Sequence, residues 1–108
     1  MGDAAAIKDI NDRCRTTFTN CSVVITPAAR ALPAGDLATL LSAVRSYKDF
    51  SEDNDPHGEH DFGDIELFGA TWFWKFDYYN LDLSAGSEDA SDSDRTYRVL
   101  TILRSDEY

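Results

Sequence analysis

Thr71-Trp72-Phe73-Trp74-Lys75-Phe76-Asp77-Tyr78-Tyr79 reads as a β-strand with two unlike faces. Side chains alternate across a strand, so Trp72, Trp74, Phe76 and Tyr78 line one side while Phe73, Lys75, Asp77 and Tyr79 line the other. The first side reads as core. Aromatic residues on the second side as well call for either a closed, curved sheet or an exposed aromatic patch that meets a partner.

The neighbouring segments follow from this strand. Residues 62–68 form a second strand, joined to it by a two-residue turn at Gly69-Ala70 with glycine leading. Residues 95–104 form the last strand, followed by the tail Asp106-Glu107-Tyr108. Towards the N-terminus, Leu37, Leu40, Leu41 and Val44 recur at helical spacing and predict a helix over 33–47, with Pro33 in its first turn. A β-branched strand over 21–26 ends at Pro27, and Ile7, Ile10, Cys14 and Phe18 predict a first helix over 4–18 capped by Asp3. Polar loops fill 51–61 and 80–94, the second expected to be mobile. The order α-β-α-β-β-β predicts one α+β domain over 1–108, with two helices on a mainly antiparallel four-stranded sheet.

Charge is distributed unevenly. Between Asp49 and Asp94 stand fourteen acidic residues and one basic residue, Lys75, while the flanking segments are mildly positive. The net charge of −10 therefore arises in the middle of the chain. Such a charge repels nucleic acid and anionic lipid and favours a Lys/Arg-rich partner. No apolar run approaches the length of a membrane span, and the N-terminal residues do not read as a signal peptide. Cys14 and Cys21 lack metal-site spacing and read as two reduced thiols of a cytoplasmic protein.

Three readings of the chemistry follow. In the first, Glu52, Asp53, Asp55, Glu59, Asp61, Asp64 and Glu66 make a negative ridge that imitates spaced phosphates, with Phe62, Phe68 and Tyr79 as aromatic anchors. The expected function is a non-enzymatic inhibitor that occludes a basic groove of a nucleic-acid-binding protein, a CRISPR effector subunit being one such partner, and that needs no cofactor. In the second, His57 and His60 with Glu59 or Asp61 supply metal ligands, or His60 pairs with Asp61 or Asp77 as a base. This gives a small hydrolase centred on Glu59, His60, Asp61 and Lys75, with Tyr78 nearby, although no HExxH, P-loop or GxSxG motif is present. The third is a structural or regulatory module that forms a homodimer through the aromatic sheet.

Several motifs carry a resemblance over nearly the whole length. They are Asn11-Asp12, Thr16-Thr17-Phe18, Asn54-Asp55-Pro56, Gly58-Glu59-His60-Asp61-Phe62-Gly63, Trp74-Lys75, Asp77-Tyr78-Tyr79, Asp82-Leu83, Arg98-Val99-Leu100-Thr101-Ile102 and Asp106-Glu107-Tyr108. On these residues the chain resembles a family of small bacterial proteins known only as a domain of unknown function, typical of alphaproteobacteria and their plasmids and prophages. The family pattern has tyrosine where this chain has His57, which sets His57 aside as an essential ligand. The association with mobile elements implies a counter-defence role. By size and charge alone, the chain is also similar to anti-CRISPR and anti-restriction proteins.

Overall fold

The computed structural model describes residues 3–108. The expected domain starts at residue 1, and residues 1 and 2 lie outside the described residues. The elements are α1 (Ala4–Thr17), β1 (Ser22–Ile25), α2 (Pro27–Arg30), α3 (Ala34–Arg45), β2 (Phe62–Leu67), β3 (Ala70–Tyr79), β4 (Tyr97–Arg104) and a C-terminal 3-10 turn (Ser105–Glu107). The expected α+β order holds, with the single-turn helix α2 inserted after β1.

Sequence chemistry explains where the helices begin and end. Asp3 caps α1 by accepting the Ala5 amide at 3.0 Å. The helix stops at Phe18, whose φ of 56° breaks the helical path. Pro27 opens α2. Pro33 lies one residue outside α3 as its N-cap, because the missing amide and fixed φ of proline suit the start of a helix. Asp36 occupies the first turn of α3, at the positive end of the helix dipole.

The sheet runs in the order β1-β4-β3-β2. The β2–β3 and β3–β4 pairs are antiparallel, and β1 joins β4 in parallel, so the sheet is mixed. It is open, with β1 and β2 as its two edges. Trp72, Trp74 and Phe76 are buried with Leu100 and Ile102 of β4, Cys14 of α1, Ala29 of α2, and Leu40 and Val44 of α3. Removing these apolar side chains from water is the main driving force for the helices to pack on this face.

The opposite face is open over much of its area. Val24, Tyr79 and Tyr97 are exposed there, and Phe62 and Phe73 are half-buried. The C-terminal segment leans on one part of it: Tyr108 meets the Phe73 ring edge-on at 5.7 Å. Of the two expected ways to place aromatics on both sides of β3, the protein uses the exposed patch rather than closure.

Two local expectations need correction. The hairpin turn is Phe68-Gly69, one residue earlier than Gly69-Ala70, since Leu67 pairs with Ala70. Both turn residues have positive φ, 57° and 71°, the signature of a type I′ turn. Helix α1 also buries more than its apolar stripe, for Asn11 and Arg15 face inward beside Ile7 and Cys14.

Candidate partner-binding surface

Residues directly opposite in a ladder point to the same side of the sheet. Phe62, Asp64 and Glu66 of β2 stand opposite Lys75, Phe73 and Thr71, so all six lie on the open face. Phe62 and Phe73 touch, with ring centroids 5.1 Å apart. Lys75 is tied to Asp77 two residues along its own strand. Glu66 accepts a hydrogen bond from the Thr71 hydroxyl at 2.5 Å.

Asp64 and Glu66 also border a cleft of about 790 Å³ along the β2 edge. Asp49, Asn54, Tyr47, Ile65 and Lys48 complete much of its lining. Three carboxylates and one ammonium thus share this opening, with a tyrosine and an isoleucine as apolar floor. Among the described residues, no Lys, Arg or His nitrogen comes within 4.0 Å of the carboxylates of Glu52, Asp53, Asp64 or Glu66. Phe68 is exposed at the hairpin tip and Tyr79 at the far end of β3, so the anchors are spread along the strand pair.

The other acids of the 52–66 stretch turn inward. Asp55 is only 8% exposed, accepts the His60 amide at 3.1 Å, and lies 3.6 Å from His60 Nε2. Glu59 accepts from the Tyr78 hydroxyl at 3.3 Å. Asp61 is half-buried; burial raises its carboxyl pKa, its own backbone hydrogen bond opposes this, and Asp55 adds to the rise. Further along the chain, three acids surround Arg95: Glu88, Asp89 and Asp92 lie 4.0, 3.9 and 2.9 Å from its nitrogens. The exposed acidic surface is therefore shorter than a continuous ridge and centres on the β2 edge.

A polar core joins four segments that are distant in sequence. Asn11 donates to the Glu59 carbonyl at 3.1 Å and to the Tyr78 hydroxyl at 2.8 Å, while accepting from Arg98 Nε at 2.9 Å. Burial raises the Tyr78 phenol, against the bond from Asn11. His60, held at φ 53°, places Nδ1 2.8 Å from Asp12 and stacks on Phe50 with centroids 3.6 Å apart. Arg15 is wedged between Phe50 and Trp74 and donates to the Val44 carbonyl at 2.8 Å. These contacts clamp the 50–61 loop onto α1. Asp12, Arg15, Arg45, Lys48, Phe50 and His60 also border a shallow cleft of about 420 Å³.

The expected hydrolase centre does not assemble. His60 faces Asp12 and Asp55 rather than Asp61 or Asp77. Lys75 points to the open face, away from the helix side where His60 and Phe50 pack, and Glu59 is engaged with Tyr78. His57 is exposed. Among the described residues, no group of three or more His, Cys, Asp or Glu side chains is arranged to hold a metal ion. Asn11, Asp12 and Arg98 stand in the motifs quoted above but, like Arg15, carry no expected role, because polar residues on a helix or strand read as solvent-facing. The available signal was that Asn11 and Arg15 fall at helical spacing from Ile7.

Fold and surface together define a small α+β domain whose helices cover one side of a mixed sheet and whose acidic, aromatic other side stays open. The family model described as a protein of unknown function, DUF3768, matches residues 25–107, and the chain belongs to that family. The match runs from the end of β1 through the C-terminal turn. No curated protein matches the chain, and no solved structure does.

Proposed function

We propose that this protein is a non-catalytic inhibitor that presents its β2 edge and open sheet face to a basic, nucleic-acid-binding surface of another protein. The observation that carries the reading is the meeting of Asp49, Asp64 and Glu66 around one cleft beside the Phe62–Phe73 pair. Exposed carboxylates with no cation within 4.0 Å among the described residues can meet Lys and Arg of a partner, which speeds encounter and selects the partner. Aromatic rings beside them supply buried area that prolongs the complex. The partner class we propose is a nucleic-acid-binding protein of a bacterial defence system, a CRISPR effector subunit or a restriction enzyme, whose Lys/Arg channel grips spaced phosphates. The hydrolase alternative has less support, since its residues lie on two faces of the sheet.

The test is retention of target DNA by a panel of CRISPR effector complexes and restriction endonucleases, with increasing amounts of this protein and from low to high salt. At least one member is expected to release its DNA, less so as salt rises. The Asp64→Lys/Glu66→Lys double variant is expected to bind that member at least about tenfold more weakly. If wild type and variant leave DNA binding unchanged across the panel, the inhibitor reading fails. Sedimentation at two concentrations separates it from a homodimer built on the same face.

A further inference from the structure

The chain carries twenty acidic residues and ten Lys or Arg, yet three of those ten border one cleft. This cleft of about 420 Å³ lies where α1 meets the segment after α3, and Arg15, Arg45 and Lys48 line it together with His60. Among the described residues, Asp12 is the one carboxylate in its lining. Three cations against one carboxylate leave a formal excess of two positive charges, the reverse of the molecule's balance. A cleft of opposite sign to its surroundings concentrates a small anion locally, while the outlying acids repel a polyanion such as nucleic acid.

Contacts within the lining show that the cations converge. Arg15 and His60 approach the same oxygen, Asp12 Oδ1, at 3.4 and 2.8 Å. Arg15 Nη1 donates to the Arg45 carbonyl at 3.3 Å, which sets the two arginines side by side. Arg45 turns back over α1: its Nε donates to the Thr16 carbonyl at 3.1 Å, and its charge lies 5.5 Å from the centroid of the Phe18 ring. Lys48 is exposed. Among the described residues, no carboxylate oxygen comes within 4.0 Å of a nitrogen of Arg45 or Lys48.

The buried member of the group is under-served as well. Arg15 is 3% exposed, and its Nε is buried with no hydrogen-bond partner among the described residues. A guanidinium has five N–H groups, and the one carboxylate beside this one is shared with His60. Against an anion stand Asp12 itself and the carbonyl end of α3, where Arg15 already donates to the Val44 and Arg45 carbonyls. Asp55 is engaged with His60, and Asp49 faces the neighbouring cleft along β2.

We propose that this cleft binds a small phosphate dianion, free or as the head of a phosphate monoester, with Arg45 and Lys48 as its charged clamp and Arg15 behind them. The two excess positive charges match those of the dianion, and a guanidinium fork suits two phosphate oxygens at once. The volume falls within the range of small-ligand sites, about 300–1,000 Å³. Phe50, half-buried in the lining, offers an apolar surface to the organic part of an ester. The site is independent of the acidic surface, although Lys48 borders both clefts.

The experiment titrates the isotope-labelled full chain with phosphate replacing chloride at constant ionic strength, following backbone amide shifts by NMR. The amides of Thr16, Ser46, Lys48 and Phe50 are expected to shift together and to saturate by about 10 mM, as a Kd of about 1 mM implies. Lys48→Gln and Arg45→Gln, both at exposed positions, are each expected to weaken binding at least about threefold, and the double variant at least about tenfold. Arg30→Gln removes the same charge from an exposed position outside the cleft and is expected to leave the affinity unchanged. Phenyl phosphate is the second probe: tighter binding than that of inorganic phosphate assigns an ester as the ligand, and equal or weaker binding assigns the free ion. No saturation by about 10 mM with either probe would overturn the proposal. So would shifts scattered over the molecule, or equal weakening by Arg30→Gln and Lys48→Gln. The wild-type titrations decide even if a variant fails to fold.

Discussion

A Cβ at Gly63 would lie 2.5 Å from Trp74 Nε1 and 2.7 Å from Tyr47 Cζ, so β2 can approach the core here only as glycine. That contact belongs to packing, and the sequence hinted at it only by setting a glycine inside a strand. The two core tryptophans differ in a way that sequence does not reveal. Trp72 donates its indole N–H to the Leu67 carbonyl at 3.0 Å, whereas Trp74 Nε1 is buried with no partner among the described residues. A buried unsatisfied donor costs about 1–3 kcal/mol. Trp74→Phe is therefore expected to cost about 1 kcal/mol less than Trp72→Phe in urea unfolding, even though it weakens the Arg15 cation–π contact at 4.9 Å. Equal losses, or a larger loss at Trp74, would contradict this account. Asn11, Arg15 and Arg98 are the same lesson for polar residues: their burial follows from partners dozens of residues away, which periodicity does not show.

At the level of elements, helical spacing placed α1 and α3 within a residue or two of their observed ends, because an amphipathic stripe and its caps are local properties. The hairpin was legible, but its turn was displaced by one residue. Glycine was expected to lead the turn, yet Phe68 takes the first left-handed position and Gly69 the second. A bulky residue in that conformation is strained by about 1–2 kcal/mol, while Asn-Gly is the favoured pair for a type I′ turn. Phe68→Asn is accordingly expected to raise stability by about 1 kcal/mol in urea titration. Because Phe68 is 44% exposed, little packing is lost in exchange. An unchanged or lower urea midpoint would refute the strain argument. The parallel pairing of β1 with β4 was not legible, since a short β-branched strand does not encode the direction of its neighbour.

The whole molecule is closed by its last residues. Glu107 accepts the Thr26 hydroxyl at 2.6 Å, the Arg104 amide at 2.8 Å and the Ala28 amide at 3.1 Å, pinning the C-terminal turn to the start of α2. Burial acts to raise the Glu107 carboxyl, but these hydrogen bonds outweigh it and hold the group below its ordinary value. A carboxylate depressed in the folded state contributes stability that is full above its unfolded value, about 4.3. That contribution is lost as pH falls through the lower folded value. Glu107→Gln is expected to lower stability by about 2 kcal/mol at pH 7. Its deficit against wild type is expected to shrink as pH drops below about 4. A deficit that stays constant down to pH 3 would show that the carboxylate charge is immaterial.

By itself, the sequence determined the fold class, the hairpin, the buried face of β3 and the concentration of negative charge in the middle of the chain. These depend on spacing and composition, which are properties of neighbours along the chain. Tertiary structure alone decided which carboxylates are exposed: it drew Asp55 and Glu59 into the His60–Asn11 clamp, half-buried Asp61, and left Asp49, Asp64 and Glu66 around the β2 edge. It also set Arg98 of β4 against Asn11 of α1. Burial and pairing depend on groups that meet only after the chain has closed, and nothing local to a carboxylate or a guanidinium specifies its partner.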